Sequence, residues 1–249
     1  MGVPKTPVRE NIPVNDYIHG TFVPLSNLPH GWEMHSAVPL TPAEDRTMVR
    51  EPAQAVPDSI AERLGKIRVL VVPWVACFEA GDQVSFIKPK GETHSAVWVE
   101  TTERIHLLLP SRELDPHDTG LEFLASLAEL LRPRLASHEL DRFTRLLEDE
   151  LRAGVPGEID EDARAAKQPL SGRRPRRRRN PEMLEHYRDI AFVSTTAEYM
   201  HGLWHDVQIR IGPEHLPLLQ LRRRLTLLAE MFPPNAGYSL FAEGLEKGE

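Results

Sequence analysis

Two histidines four residues apart, with an acid on either side, form the pattern in this chain that is most suggestive of chemistry. The stretch EYMHGLWHD begins at Glu198, ends at Asp206 and contains His201 and His205. In a helix, Glu198, His201 and His205 share one face, because residues three and four apart are neighbours there. Two imidazoles and a carboxylate are typical ligands of Zn, Fe or Mn. We therefore predict that these three residues bind a divalent metal and that Asp206 orients a ligand.

The same stretch has an alternative interpretation as part of a β-strand. The segment DVQIRIG alternates polar and apolar residues, which predicts a strand from Asp206 to Gly212. If that strand continues backward, His201 and His205 lie about 13 Å apart, which is too far for one ion. Gly202 also costs a helix about 1 kcal/mol relative to alanine, and it stands where the zinc-protease motif HExxH has its glutamate. Packing or surface roles for the two histidines therefore remain open.

A second pair of chemically useful side chains lies in a predicted loop. His117 and Asp118, in DPHDTG, come just before a predicted helix. A histidine beside an acid at a helix start suits anion binding or acid–base catalysis, so we predict a catalytic role for both. Turn and helix-cap chemistry is the alternative interpretation. His94 and His106 lie on neighbouring predicted strands and could complete a site.

An arginine-rich segment, SGRRPRRRRNP, marks the sharpest change in composition along the chain. Its arginines repel one another, which predicts an exposed linker. The functional hypothesis is contact with an acidic or phosphorylated partner, and the alternative is a solvated linker that the preceding acidic run EIDED neutralises. A second basic run, LRRRL, is predicted to be the exposed face of an amphipathic helix. The predicted partner-binding residues of the linker are Arg173, Arg174, Arg176, Arg177, Arg178 and Arg179.

The composition indicates a globular protein with an ordinary hydrophobic core. The 249 residues include 41% hydrophobic and 27% charged residues. A formal net charge of -7 argues against a general nucleic-acid binder, which is usually basic. The bias towards arginine, alanine and leucine suggests a bacterial gene. No phosphate-binding glycine motif is present in the sequence, so we expect no cofactor other than a metal ion.

The single cysteine and the short apolar runs indicate where in the cell the protein is expected. Cys77 cannot form an intrachain disulfide, and its place in the apolar run VLVVPWVACF predicts a buried, inert thiol. That run is too short to span a membrane. The first residues, MGVPKTPVREN, lack the apolar segment of a secretory signal. We therefore expect a cytoplasmic protein without a membrane segment.

The hydrophobic pattern predicts an α+β fold. Four β-type runs separated by short turns predict an antiparallel sheet of about four to five strands with helices packed on one face. These runs are IRVLVVPWVACF, QVSFIK, THSAVWVE and RIHLLLP. Residues 1–60 are predicted to be a Pro-rich extended arm, and residues 61–168 a β-meander followed by helices. Residues 169–181 form the arginine-rich linker, and residues 182–249 a mostly helical part that joins the same core.

These patterns lead to two hypotheses of function. The first is a metal-assisted enzyme that acts on a small or phosphorylated substrate through Glu198, His201 and His205. The second is a non-catalytic interaction or assembly protein that binds a partner through the arginine-rich linker and the Pro-rich arm. We expect the partner to be a small molecule or a protein, including a second copy of the chain, and not a nucleic acid.

Overall fold

Two compact units make up the protein, and each is formed by two separate segments of the chain. Our computed structural model describes residues 10–171, 180–205, 207 and 210–241. Of the described residues, those within 1–50 and 65–123 belong to the first unit, and those within 51–64 and 124–249 belong to the second. The division of the sequence into an arm, a β-meander with helices, a linker and a C-terminal part stays a prediction.

Within the described residues, the first unit contains two β-sheets. One sheet has three antiparallel strands in the order β1-β6-β5, and the other has five strands in the order β2-β3-β4-β8-β7. The strands are β1 (Asn11–Pro13), β2 (Ser26–Asn27), β3 (Glu33–Ser36), β4 (Ile67–Val72), β5 (Trp74–Ala76), β6 (Gln83–Ser85), β7 (Val97–Glu100) and β8 (Ile105–Pro110).

The five-stranded sheet is mixed, so the prediction of an antiparallel sheet is wrong for its centre. Strand β4 pairs in parallel with both β3 and β8, whereas the outer strands β2 and β7 pair antiparallel with their neighbours. Strands β4 and β8 are almost entirely buried. A strand covered on both faces is a continuous apolar run, which indicates burial but not the direction of its neighbours. The coarser prediction, a mixture of helices and sheet, is confirmed.

Pro73 divides the longest predicted strand into two strands that belong to different sheets. Strand β4 ends at Val72 in the five-stranded sheet, and β5 begins at Trp74 in the three-stranded sheet. Proline has no backbone N–H to donate to a ladder, so the chain can leave one sheet at this point. The break carries the following residues into a hairpin made by β5 and β6.

The first unit has a compact apolar core next to this hairpin. Valines, leucines, an isoleucine and a phenylalanine from the N-terminal segment and from both sheets pack together in it, and most are completely buried. Its members are Val14, Ile18, Phe22, Leu70, Val72, Val75, Val84 and Leu108.

Helices account for the regular structure of the second unit. No helix in the described parts of the chain is both long and apolar enough to cross a membrane. The α-helices among the described residues of both units are α1 (Val14–Tyr17), α2 (Pro42–Asp45), α3 (Glu51–Ala55), α4 (Asp58–Leu64), α5 (Pro116–Leu131), α6 (Ser137–Ala153), α7 (Glu161–Lys167), α8 (Pro181–Trp204) and α9 (Leu218–Met231).

The ends of the helices lie where local capping signals are strong. Gly154 follows α6 with a φ of 67°, a left-handed conformation that favours glycine. The side chain of Asn180 accepts the N–H of Glu182 at 3.0 Å at the start of α8. Helix α5 begins at Pro116, so His117 and Asp118 lie inside the helix and not before it, because the carboxylate of Asp115 caps its first turn.

The second unit has a buried ionic cluster at the centre of its helices. Arg224 of α9 is completely buried and donates to the carboxylates of Glu150 at 2.6 Å and Glu158 at 2.8 Å. Lys167 lies 2.9 Å from Glu158, and the hydroxyl of Tyr187 donates to the same carboxylate at 2.5 Å. Burial raises the pKa of Glu158, but the charges of Arg224 and Lys167 outweigh burial and lower this pKa to about 2. The prediction of an exposed LRRRL face is therefore wrong for Arg224.

Candidate metal centre

The stretch around Gly202 is helical, as metal binding by Glu198, His201 and His205 requires. Helix α8 continues to Trp204, and His205 caps its end in an extended conformation. A Cβ atom at Gly202 would lie 2.9 Å from the Cγ2 atom of Val207, so the close approach of the following chain explains the glycine. The strand predicted for the next segment is absent from its described residues, 207 and 210–212.

The two histidines of this stretch lie side by side at the end of α8. The ring centroids of His201 and His205 are 5.7 Å apart, and the ring of Trp204 lies 4.2 Å from that of His205. His201 is buried, whereas His205 is exposed. Glu198, His201 and His205 do not, however, each bring a ligand atom within 4.8 Å of the others. Their assignment as metal ligands stays a prediction.

His117 and Asp118 lie in the first turn of α5. The Nδ1 atom of His117 is 3.6 Å from the Oδ1 atom of Asp118, and both side chains are exposed by more than a third. The backbone N–H of Asp118 donates to Asp115 at 2.9 Å, which is ordinary helix-cap geometry. These contacts do not test an acid–base role, so the catalytic assignment of the pair also stays a prediction.

The six arginines of the predicted linker, from Arg173 to Arg179, lie outside the described residues. Their predicted contact with a partner therefore stays a prediction.

A different set of potential ligands comes together in the first unit. Among the residues that the structure describes, one set of three brings its ligand atoms within 4.8 Å of one another, and it consists of Cys77, Asp82 and His94. Cys77 is exposed, so the prediction of a buried thiol is wrong. The apolar run that suggested burial forms a strand only as far as Ala76, and Cys77 lies just beyond its end.

The hairpin of β5 and β6 places Cys77 opposite Asp82. The antiparallel register pairs Ala76, the last residue of β5, with Gln83, the first residue of β6. Cys77 and Asp82 are the next residues towards the loop, so they face each other across it. A turn from Phe78 to Gly81 closes this loop, with the N–H of Gly81 donating to the carbonyl of Phe78 at 2.9 Å. Gly81 has a φ of 104°, a conformation that favours glycine.

His94 lies on the other side of β5. An antiparallel bridge joins Thr93 to Ala76, and the N–H of His94 donates to the carbonyl of Val75 at 2.9 Å. His94 is therefore opposite Val75, and side chains alternate between the two faces of a strand. Since Val75 and Cys77 are two residues apart, His94 and Cys77 lie on the same face.

Asp82 and His94 thus flank Cys77 from its two sides. The Nε2 atom of His94 lies 2.9 Å from the Oδ1 atom of Asp82. The side chains of Asp82 and His94 are 36% and 37% exposed, so the cluster is open to a solute. Ligands of a tetrahedral zinc ion are roughly 3.3–3.8 Å apart, given metal–ligand distances of about 2.0–2.3 Å. Small side-chain movements would therefore allow the three residues to bind one ion.

The residue types of this cluster permit two kinds of chemistry. Thiolate, imidazole and carboxylate are the three ligand classes of zinc in proteins, and three protein ligands leave a fourth position open. Cysteine, histidine and an acid also form nucleophilic triads, in which the two ring nitrogens of the histidine serve different partners. Because Nε2 of His94 contacts Asp82, a triad requires Nδ1 to face the thiol of Cys77. The convergence of all three side chains on one point favours metal binding.

Part of this site can be found from the sequence. The sequence singles out His94 as a residue that could complete a site, and the turn EAGD predicts a hairpin. The register of that hairpin is the signal that would have placed Cys77 opposite Asp82. The bridge that brings His94 to the hairpin is a non-local contact, and no sequence signal marks it.

No protein-family model matches the chain, and neither a curated protein nor a solved structure is significantly similar to it. The geometry of the side chains is therefore the basis on which function is inferred.

Proposed function

We propose that the protein binds a transition-metal ion through Cys77, Asp82 and His94, and that zinc is the ion these ligands favour. The observation that supports this proposal is the convergence of three ligand atoms within 4.8 Å on one face of a hairpin. A thiolate selects a soft or borderline ion such as zinc over magnesium or calcium. Two strand pairings position the backbone next to all three residues, so the site is preorganised for metal binding.

The reaction class that fits this site is metal-assisted hydrolysis of a small substrate. Three protein ligands leave one position for water or substrate, which is the arrangement of catalytic rather than structural zinc sites. When bound, such an ion supplies a Lewis acid that polarises a carbonyl or phosphoryl oxygen of the substrate. The exposure of Cys77 supports this proposal, because a substrate can reach the cluster from solvent.

Zinc binding by single-residue variants tests the proposal. The full chain is equilibrated with zinc, dialysed and assayed for metal content, and its zinc affinity is measured by competition with a chromophoric chelator. We expect about one zinc ion per chain, and an affinity at least about tenfold lower for Cys77→Ser, Asp82→Asn and His94→Asn, since each removes one of three ligands. The hairpin remains folded in these variants because their side chains are partly exposed.

A matched variant distinguishes this site from the histidine pair of α8. His205→Asn replaces an exposed histidine outside the cluster, and we expect it to bind zinc as the unmodified chain does. Loss of zinc in His205→Asn, with full binding in Cys77→Ser, would show that the ion binds at α8 and would refute the proposal. Binding of less than about a tenth of an equivalent by the unmodified chain would also refute it.

A further inference from the structure

A groove lined by arginines runs between α6 and α9 in the second unit. Arg142 and Arg145 come from α6, and Arg222 and Arg223 come from α9. We call this feature the arginine groove. Its volume is about 710 Å³. It shares no residue with the proposed metal centre, so its proposed role is independent of metal binding.

The spacing of the residues along each helix makes the groove continuous. On α6 the lining residues lie at positions 142, 145, 146 and 149, and on α9 they lie at positions 219, 222, 223, 226, 227 and 230. Steps of three and four residues keep side chains on one face of a helix. Arg142 near the start of α6 pairs with Glu230 near the end of α9, so the two helices run antiparallel here.

Leucines form the apolar part of the groove. Leu146 of α6 and Leu227 of α9 are partly buried, and Leu219 is 58% exposed. Leu218, the residue before it, is 36% exposed. Of these, Leu146, Leu219 and Leu227 line the groove, and they give it an apolar surface that a ligand could cover.

The groove is basic although the chain as a whole is acidic. Its four arginines face two acidic lining residues, Asp149 and Glu230, which gives a local charge of about +2 within a chain of net charge -7. Arg145 and Arg223 are exposed, and Arg222 lies 5.3 Å from the ring of Phe241. Charge complementarity therefore favours an acidic ligand.

We propose that the arginine groove binds an acidic amphipathic helix of a partner protein. Such a helix would place leucine-type side chains on Leu146, Leu219 and Leu227 and its acidic residues against the arginines on either side. The leucines argue against a nucleic acid, whose phosphate backbone offers no aliphatic surface to cover them.

Selection from a library of helical peptides tests this proposal. A displayed library of 16-residue helical peptides is panned against the full chain, and enriched peptides are measured one by one by fluorescence polarisation. We expect enriched sequences with net negative charge and apolar residues at i, i+3 or i+4, and i+7. The double variant Arg145→Glu with Arg223→Glu should weaken their binding at least tenfold, because it reverses the charge of both exposed arginines.

A charge-matched double variant controls for the change in net charge. Arg112→Glu with Arg164→Glu replaces two exposed arginines that do not line the groove, and it should bind the same peptides within about twofold of the unmodified chain. Leu219→Asp is a second groove variant with little risk to folding, since that side chain is mostly exposed, and it should also weaken binding at least tenfold. Circular dichroism of each variant verifies that the helices are intact.

Three results would overturn the proposal. The first is enrichment of no peptide whose binding depends on Arg145 and Arg223. The second is binding of a 20-nucleotide single-stranded RNA that is tighter than peptide binding and is lost in the same double variant. The third is dimerisation of the chain, measured by light scattering, that the groove variants abolish, which would assign the groove to a second copy.

Discussion

The Nε2 atom of His94 lies 2.9 Å from the Oδ1 atom of Asp82, above the end of the strand that leads to Cys77. This hydrogen bond holds the imidazole and the carboxylate together without a metal. An ion that binds the Nε2 atom of His94 and the Oδ1 atom of Asp82 replaces the proton between them, so metal binding at these two atoms competes with the hydrogen bond.

Cobalt substitution should show the thiolate ligand directly. We expect Co²⁺ added to the full chain to give a thiolate-to-metal charge-transfer band in the near ultraviolet and visible bands of tetrahedral cobalt. Cys77→Ser should lose the charge-transfer band, whereas His205→Asn should keep it. Acetohydroxamate, which binds zinc-type ions through oxygen, should change the visible bands because the fourth position is open. An unchanged spectrum in Cys77→Ser would contradict a cysteine ligand.

Arg224 and Arg223 are adjacent on α9 and should respond in opposite ways to the same substitution. Arg224→Met leaves the buried carboxylates of Glu150 and Glu158 without their main cation, and we expect it to reduce the free energy of unfolding by about 3–5 kcal/mol. Arg223→Met, at an exposed position, should change it by no more than about 0.5 kcal/mol. Urea unfolding followed by circular dichroism measures both. Similar free energies of unfolding for the two variants would show that the buried cluster does not stabilise the fold.

His106 should make the first unit less stable at mildly acidic pH. Burial and the charges of Arg68 and Arg104 lower the pKa of His106 from 6.5 to about 4. Between these values the unfolded chain binds a proton that the folded chain does not, so the free energy of unfolding falls as the pH falls from 6.5 to 4. The total loss is about 3 kcal/mol, because one pKa unit corresponds to about 1.4 kcal/mol.

A leucine in place of His106 should remove this dependence. His106→Leu removes this titrating group but no other, so its free energy of unfolding should fall by about 3 kcal/mol less than that of the unmodified chain between pH 7 and pH 4. His186→Leu, which replaces an exposed histidine of α8, should keep the profile of the unmodified chain. Thermal unfolding at half-unit steps from pH 7 to pH 4 measures the slopes. Parallel profiles for His106→Leu and the unmodified chain would count against the buried neutral histidine.

Gly157 and Gly154 both have left-handed backbone, but only one of them has room for a side chain. Their φ values are 64° and 67°. A Cβ atom at Gly157 would lie 2.1 Å from the carbonyl oxygen of His215, whereas none of the surrounding atoms is within 4 Å at Gly154. Gly154→Ala should therefore cost about 1 kcal/mol for its conformation alone, and Gly157→Ala more than about 3 kcal/mol. Equal unfolding midpoints for the two alanine variants would contradict the close contact.

The contact at Gly157 lies next to Glu158, a member of the buried ionic cluster. The N–H of Glu158 donates to the carbonyl of Glu214, and the N–H of Leu216 donates to the carbonyl of Glu158, each at 3.0 Å. These bonds hold the backbone of Glu158 while its side chain pairs with Arg224. Gly157→Ala should therefore weaken the ionic cluster as well as the backbone hydrogen bonds of Glu158 with Glu214 and Leu216.

Several features of the fold follow from short stretches of sequence alone. The end of α6 at Gly154 and the start of α8 after Asn180 follow from local capping residues, because a cap forms between residues a few positions apart. The burial of β4 and β8 is likewise visible as two apolar runs. In each of these cases the interacting groups are close in sequence, so the residue types specify the outcome.

Other features depend on tertiary contacts between segments that are far apart in the sequence. The parallel pairing of β4 with β8, and the approach of His94 to the hairpin of Cys77 and Asp82, depend on strand registers between separate segments. Arg224 illustrates the same limit, since its sequence neighbours Arg222 and Arg223 have the same side chain but are not fully buried. The side chain is buried because Glu150 and Glu158 are there to pair with it. The sequence by itself determined the caps of α6 and α8 and the apolar runs of β4 and β8, whereas the tertiary structure decided which charges and ligands face one another, because those contacts join residues far apart in the chain.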